Sequence, residues 1–279
     1  MPDERRVITE QIARIVNLTG KFERQVEGIL ASAQARVVGQ LQRRLVIEDG
    51  QIQRTPGNQQ VLRRIDRMFS DSMERAGYGR LTEEFVQTFD GALPQFQEML
   101  EAISVRLKTP LQVQFAPRDI DLFTTQKISA ASQLETVVDG IAAAAKRRAL
   151  FSVGALEFGD MVEQIATAFG RTVSEASGLA ATSQSMFFRT VADRGYQQIE
   201  KGLKPGSVKY SYEGPRDKLT RPFCRRLLER TSKEPMTRSQ IDALDNGSLP
   251  NAFITGGGWS CRHQWVVAEM TQAGQGLAT

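Results

Sequence analysis

The chain is poor in the residues that usually carry chemistry: among 279 residues there are two cysteines, one histidine and two tryptophans. Two thiols exclude a disulfide framework and leave free thiols, a single late disulfide or a metal site open for Cys224 and Cys261. No uncharged apolar run is long enough to span a bilayer, and Met1-Pro2-Asp3-Glu4-Arg5-Arg6 is followed by no apolar signal segment. The expectation is therefore a chain with no membrane anchor, made and kept in the cytoplasm. No fixed-period repeat is visible, which disfavours a solenoid. Neither sign of charge dominates either: 36 Lys and Arg stand against 32 Asp and Glu, a net +4. That balance is compatible with a polyanionic neighbour but too weak to indicate one.

What is present is helix. With 41% hydrophobic residues the chain can bury a core, and from Val7 to Leu45 the apolar residues recur every three or four positions, predicting one long amphipathic helix, bent near Gly20. Basic and acidic residues share its polar face, the ordinary pattern of a solvated helix. Glu48-Asp49-Gly50 predicts a turn, with a small hairpin before the next helix. Asn58 is placed to cap a helix running to about Arg75, closed by Gly77 and Gly79. A third segment from Thr82 reaches Leu107, with Pro94 kinking it unless that proline begins a new helix. Residues 108–119 read as a linker with one extended stretch at Leu111 to Phe115. Further helices are expected from Ile120 to Phe151, Met161 to Phe169 and Val173 to Leu203, ending at Lys204-Pro205-Gly206. Phe187, Phe188, Val191 and Tyr196 are expected to meet the C-terminal residues.

After that break the pattern changes. Val208 to Tyr212 alternates as a strand does, Glu213 to Asp217 is turn chemistry, Thr220 is expected to cap a short helix through Cys224, and Thr237 another. Asn251 to Ile254 reads as extended, Gly256-Gly257-Gly258 as a tight backbone passage, and Gln264 to Val267 as a second strand pairing with the first. The fold class expected is mainly α: a long-helix bundle or hairpin over residues 1–204, then a small α+β domain over residues 205–279. Pairing of the two strands would gather Asp217, Arg221, Cys224, Trp259, Cys261, Arg262, His263 and Trp265 into one cluster.

Cys224, Cys261, His263 and Asp217 are four possible metal ligands, and tetrahedral zinc accepts two thiolates, an imidazole and a carboxylate. Against this, neither cysteine has a CxxC partner. A packed thiol pair or a disulfide is the competing reading. Asp217 and Arg221 could form a helix-start ion pair bracing the turn. His263 beside Arg262 could serve as a general base, although a histidine among aromatics is more often a hydrogen-bonded core residue.

The two segments Gly214-Pro215-Arg216-Asp217-Lys218-Leu219-Thr220-Arg221-Pro222-Phe223-Cys224 and Gly256-Gly257-Gly258-Trp259-Ser260-Cys261-Arg262-His263-Gln264-Trp265 resemble the C-terminal signature of tailed-phage minor head proteins, the head morphogenesis family similar to protein F of phage Mu. That family pairs an Asp-x-x-x-Thr/Arg-x-x-Cys segment with a later Cys-Arg-His/Cys segment behind a long helical region. The resemblance covers about a quarter of the chain, from Tyr210 to Val267. With a single cysteine in each segment, this chain excludes the four-cysteine site that additional cysteines would allow. The resemblance implies a non-enzymatic structural protein of the virion head, made in the host cytoplasm. It would be multi-copy or oligomeric, contacting the portal, other virion proteins and packaged DNA. Two rivals remain: a metal-assisted nuclease or transferase built on the C-terminal domain, and a basic helical DNA-binding protein.

Overall fold

Apolar residues spaced by three and four become helix through most of the chain. In the computed structural model, which describes residues 4–152 and 157–271, the fold is mainly α with a small α+β part at its C-terminal end. The elements are α1 (Glu4–Arg44), β1 (Ile47–Glu48), β2 (Gln51–Ile52), α2 (Pro56–Arg63), α3 (Ile65–Arg75), α4 (Tyr78–Gln87), α5 (Ala92–Leu107), α6 (Pro117–Ser152) and α7 (Phe158–Glu200). They continue with β3 (Val208–Glu213), α8 (Pro222–Thr231), β4 (Met236–Thr237), α9 (Arg238–Asp242), α10 (Ala252–Thr255) and β5 (Gln264–Met270). No helix among the described residues is long and apolar enough to cross a membrane.

The chain forms two compact units, one of residues 20–86 and 130–180, the other of residues 1–19, 87–129 and 181–279. In the first, Phe22, Val26, Leu30, Ala33, Val37 and Leu41 form the buried stripe of α1, with Phe22 against Phe85 at 4.9 Å and Phe69 stacked on Phe169 at 5.6 Å between ring centroids. The hairpin expected after α1 is present: Ile47 pairs with Ile52, and both turn residues, Asp49 and Gly50, take positive φ of 52° and 79°. That turn hand matches the twist of the strands it joins.

Asn58 is not the cap of the next helix. Thr55 is, accepting from the Asn58 amide at 3.1 Å, with Pro56 at the first helical position. A threonine followed by proline combines a side-chain acceptor with a pre-set φ, and it outcompetes an asparagine three residues later. Asn58 is buried instead, its amide oxygen accepting from Val46 N at 2.8 Å and its amide nitrogen donating to Val46 O at 2.9 Å and Gln53 O at 2.7 Å. The helix expected to run to Arg75 is interrupted at Arg64, whose φ of −98° and ψ of 7° separate α2 from α3. Two helical runs expected on either side of Gly170 are in fact the single helix α7. One interior glycine costs about 1 kcal/mol, less than is gained by burying Ala168, Phe169 and Ala176 around it.

In the second unit Pro94 sits in the first turn of α5, so it starts a helix and does not kink one. Leu111 to Phe115 forms no strand. Phe187 packs edge-on against Phe89 and Phe123, and Tyr196 edge-on against Phe96 and Phe253 and tilted against Tyr210. The C-terminal sheet has the order β4-β3-β5, all antiparallel. The expected pairing of first and last strands holds, with Tyr212 opposite Trp265 and Glu213 opposite Gln264. α8 is tied to β3 through Thr231 Oγ1, which accepts from Tyr212 N at 2.9 Å. Thr237 caps α9 in a reciprocal capping box with Gln240. Residues 251–254 are not extended: Asn251 caps the helical turn α10 and takes a left-handed φ of 60°.

Candidate functional site

β3 and β5 lie side by side, so the residues just beyond their paired ends, 214–217 and 261–263, leave the sheet together. α8 follows the first of these ends. Pro222 at its first position fixes the start, and the helical period then puts Cys224, Leu227, Leu228 and Thr231 on the buried face. Thr220 is not the cap. Its hydroxyl donates to Pro215 O at 2.9 Å and accepts from Asp217 N at 3.0 Å, which shapes the turn before the helix. Arg221 holds the capping position with no side-chain bond to the helix.

Three of the four candidate ligands meet. Cys224 Sγ and Cys261 Sγ are 3.9 Å apart, Cys261 Sγ is 3.7 Å from His263 Nδ1, and the three donor atoms all lie within 4.8 Å of one another. All three side chains are buried. The passage at residues 256–258 makes this possible: a Cβ on Gly257 would overlap Cys224 Sγ, and the Gly257 amide donates to Cys261 Sγ at 3.1 Å. His263 Nε2 is 2.9 Å from Pro215 O. A carbonyl only accepts, so Nε2 carries the proton and the Nδ1 lone pair faces Cys261. The Tyr212 ring stacks on the imidazole at 5.3 Å, and its hydroxyl is 3.2 Å from Cys261 Sγ and 3.8 Å from Cys224 Sγ.

Asp217 is not among them. It does not pair with Arg221 either: its carboxylate takes a bidentate pair of bonds from Arg262 at 2.7 and 2.8 Å. A fork-to-carboxylate match across strand ends is a better geometry than a single contact along a short turn. Arg221 instead donates to Gly257 O at 2.7 Å and to Trp259 O. The two tryptophans part company. Trp265 is buried, its indole N–H donating to Ala252 O at 3.1 Å, whereas Trp259 is 53% exposed and lies outside the packed cluster.

Arg189, at position 32 of the 43-residue α7, is the functional residue that sequence reasoning missed. It is 3% exposed and donates to His263 O and Ile254 O, each at 2.8 Å, and to Cys261 O. Thr182, two turns earlier on the same face of α7, accepts from Ser260 N at 2.8 Å. The same helix face thus fastens the loop at two points. Nothing in the local pattern of a long helix marks one arginine as buried, so only its position near the chemically dense residues could have drawn notice. Tyr212 was legible as a strand residue but not as a neighbour of sulfur.

The electrostatics follow from this packing. The hydrogen bond from Cys224 holds Cys261 well below an ordinary thiol, with the Arg189 guanidinium and the Tyr212 hydroxyl acting in the same direction, while that shared bond and burial push Cys224 up. Burial likewise raises Tyr212 well above an ordinary phenol. The Arg262 bonds hold Asp217 below the usual carboxylate range. Chemically, the site is a closed nest of one thiolate-prone sulfur, a thiol and an imidazole lone pair, suited to holding a soft cation or to locking the loop. Compared with models of protein families, with curated proteins and with solved structures, the chain finds no match in any of the three.

Proposed function

We propose that this chain is a structural minor head protein of a tailed-bacteriophage virion, associated with the portal on the capsid interior and acting in head assembly or DNA ejection. The reading rests on the resemblance of two segments, and one observation supports it. The segments, with their cysteines 37 positions apart, fold against each other through Cys224 and Cys261 and through the Asp217–Arg262 pair. Motif residues that bind one another and the backbone make a rigid module for attachment. His263, 3% exposed, has its ring engaged with Pro215 and Cys261 instead of being presented to solvent as a general base would be. With that module docked at the portal, the long helices are left to contact neighbouring virion proteins and packaged DNA.

Fractionation of purified particles tests this. The expected result is a low-copy protein that stays with the portal after mild disruption. Absence from particles, or presence at the abundance of a major shell protein, overturns it.

A further inference from the structure

We infer that Cys224, Cys261 and His263 bind a zinc ion that locks the loop before β5 onto α8. The inference goes beyond the virion role and does not depend on it. In a tetrahedral zinc site with metal–sulfur bonds of about 2.3 Å and metal–nitrogen bonds of about 2.0–2.1 Å, neighbouring sulfurs lie about 3.8 Å apart and sulfur and nitrogen about 3.6 Å. The protein sets these separations at 3.9 Å for Cys224 to Cys261 and 3.7 Å for Cys261 to His263 Nδ1. The third separation is no more than 4.8 Å, so closing the set takes about 1 Å of side-chain movement.

Two further features favour a metal over a thiol pair or a disulfide. The Nε2–H···O bond to Pro215 orients the ring as metal-bound histidines are oriented, by a carbonyl on the far nitrogen, and leaves Nδ1 as a lone pair aimed at the sulfurs. A disulfide would leave that buried lone pair facing a sulfur with no hydrogen to offer it, whereas a cation satisfies all three atoms at once. The Gly257 amide already donates to Cys261 Sγ, the bond a metal-bound thiolate accepts. Binding displaces to solvent whatever protons the two sulfurs still hold, and two thiolates neutralise the dication, so the loaded site carries no net charge into the interior. The Tyr212 hydroxyl, 3.2 and 3.8 Å from the two sulfurs, is the fourth heteroatom within reach. Asp217 is excluded as a ligand by its bidentate pairing with Arg262.

The test is metal analysis of the full-length protein, purified without a histidine tag, followed by chelator treatment and addition of Co2+. We expect about one zinc per chain, and on cobalt loading the strong visible bands and near-ultraviolet sulfur-to-metal charge transfer of a tetrahedral thiolate site. Cys224→Ser and His263→Ala should each lose stoichiometric zinc, while Asp217→Asn retains it. Because the cysteine variants can fail to fold, the cobalt spectrum of the wild-type protein decides independently. A folded wild-type protein that takes up neither ion overturns the proposal. So does a protein two hydrogens lighter than its reduced mass, which would mean a disulfide, or an Asp217→Asn variant that loses metal as the ligand variants do.

Discussion

At the scale of single residues, Arg189 and Asp217 show how differently two charged groups can serve one unit. Arg189 is a buried cation whose N–H groups satisfy three carbonyls in the loop and at α10. Arg189→Met keeps the volume of the stem but strands those acceptors, each costing about 1–3 kcal/mol. The expected loss is about 3 kcal/mol or more, read as a lowered urea midpoint with unchanged slope; a change within about 0.5 kcal/mol, the range of ordinary surface substitutions, would show that the loop does not depend on it. Asp217 lies at the surface, and its contribution has a pH sign. Its folded value is lowered beneath the ordinary 3.8 by Arg262. The stabilisation is therefore complete above that value and fades as pH falls through the lower folded one. A carboxyl titration followed by NMR should place its midpoint below 3.8, and high salt should move the midpoint up. A midpoint at or above the ordinary value contradicts the bidentate pair.

At the scale of elements, the parts with their own local energy were legible and the parts decided by distant contacts were not. The α1 stripe, the Asp49-Gly50 turn and the Thr237 capping box each carry their signal within a few residues. The break expected between Phe169 and Val173 does not occur, because packing on both sides of Gly170 carries α7 through it. Asn58 shows the reverse error: a good capping residue recruited to hold three backbone groups that flank the hairpin, two of Val46 and one of Gln53. Asn58→Ala should accordingly cost about 2–3 kcal/mol and speed exchange of the Val46 amide, while α2 keeps its cap from Thr55. Exchange at Val46 as slow as in the wild type would contradict this. The candidate site divides along the same line. The crowding of rare residues was visible, but Asp217 had Arg221 four positions away and Arg262 forty-five away, and only the strand pairing decides between them.

For the whole molecule, the proposed role makes the C-terminal residues the fastening: the closed module formed by the two motif segments attaches the chain to the portal. Cross-linking mass spectrometry on intact particles tests this most directly, because Lys218 and Lys233 are exposed on either side of the first segment's helix. Cross-links from those lysines to the portal subunit are the expected result. Particles without the chain, or lysines linked only to the major shell or tail proteins, would contradict it.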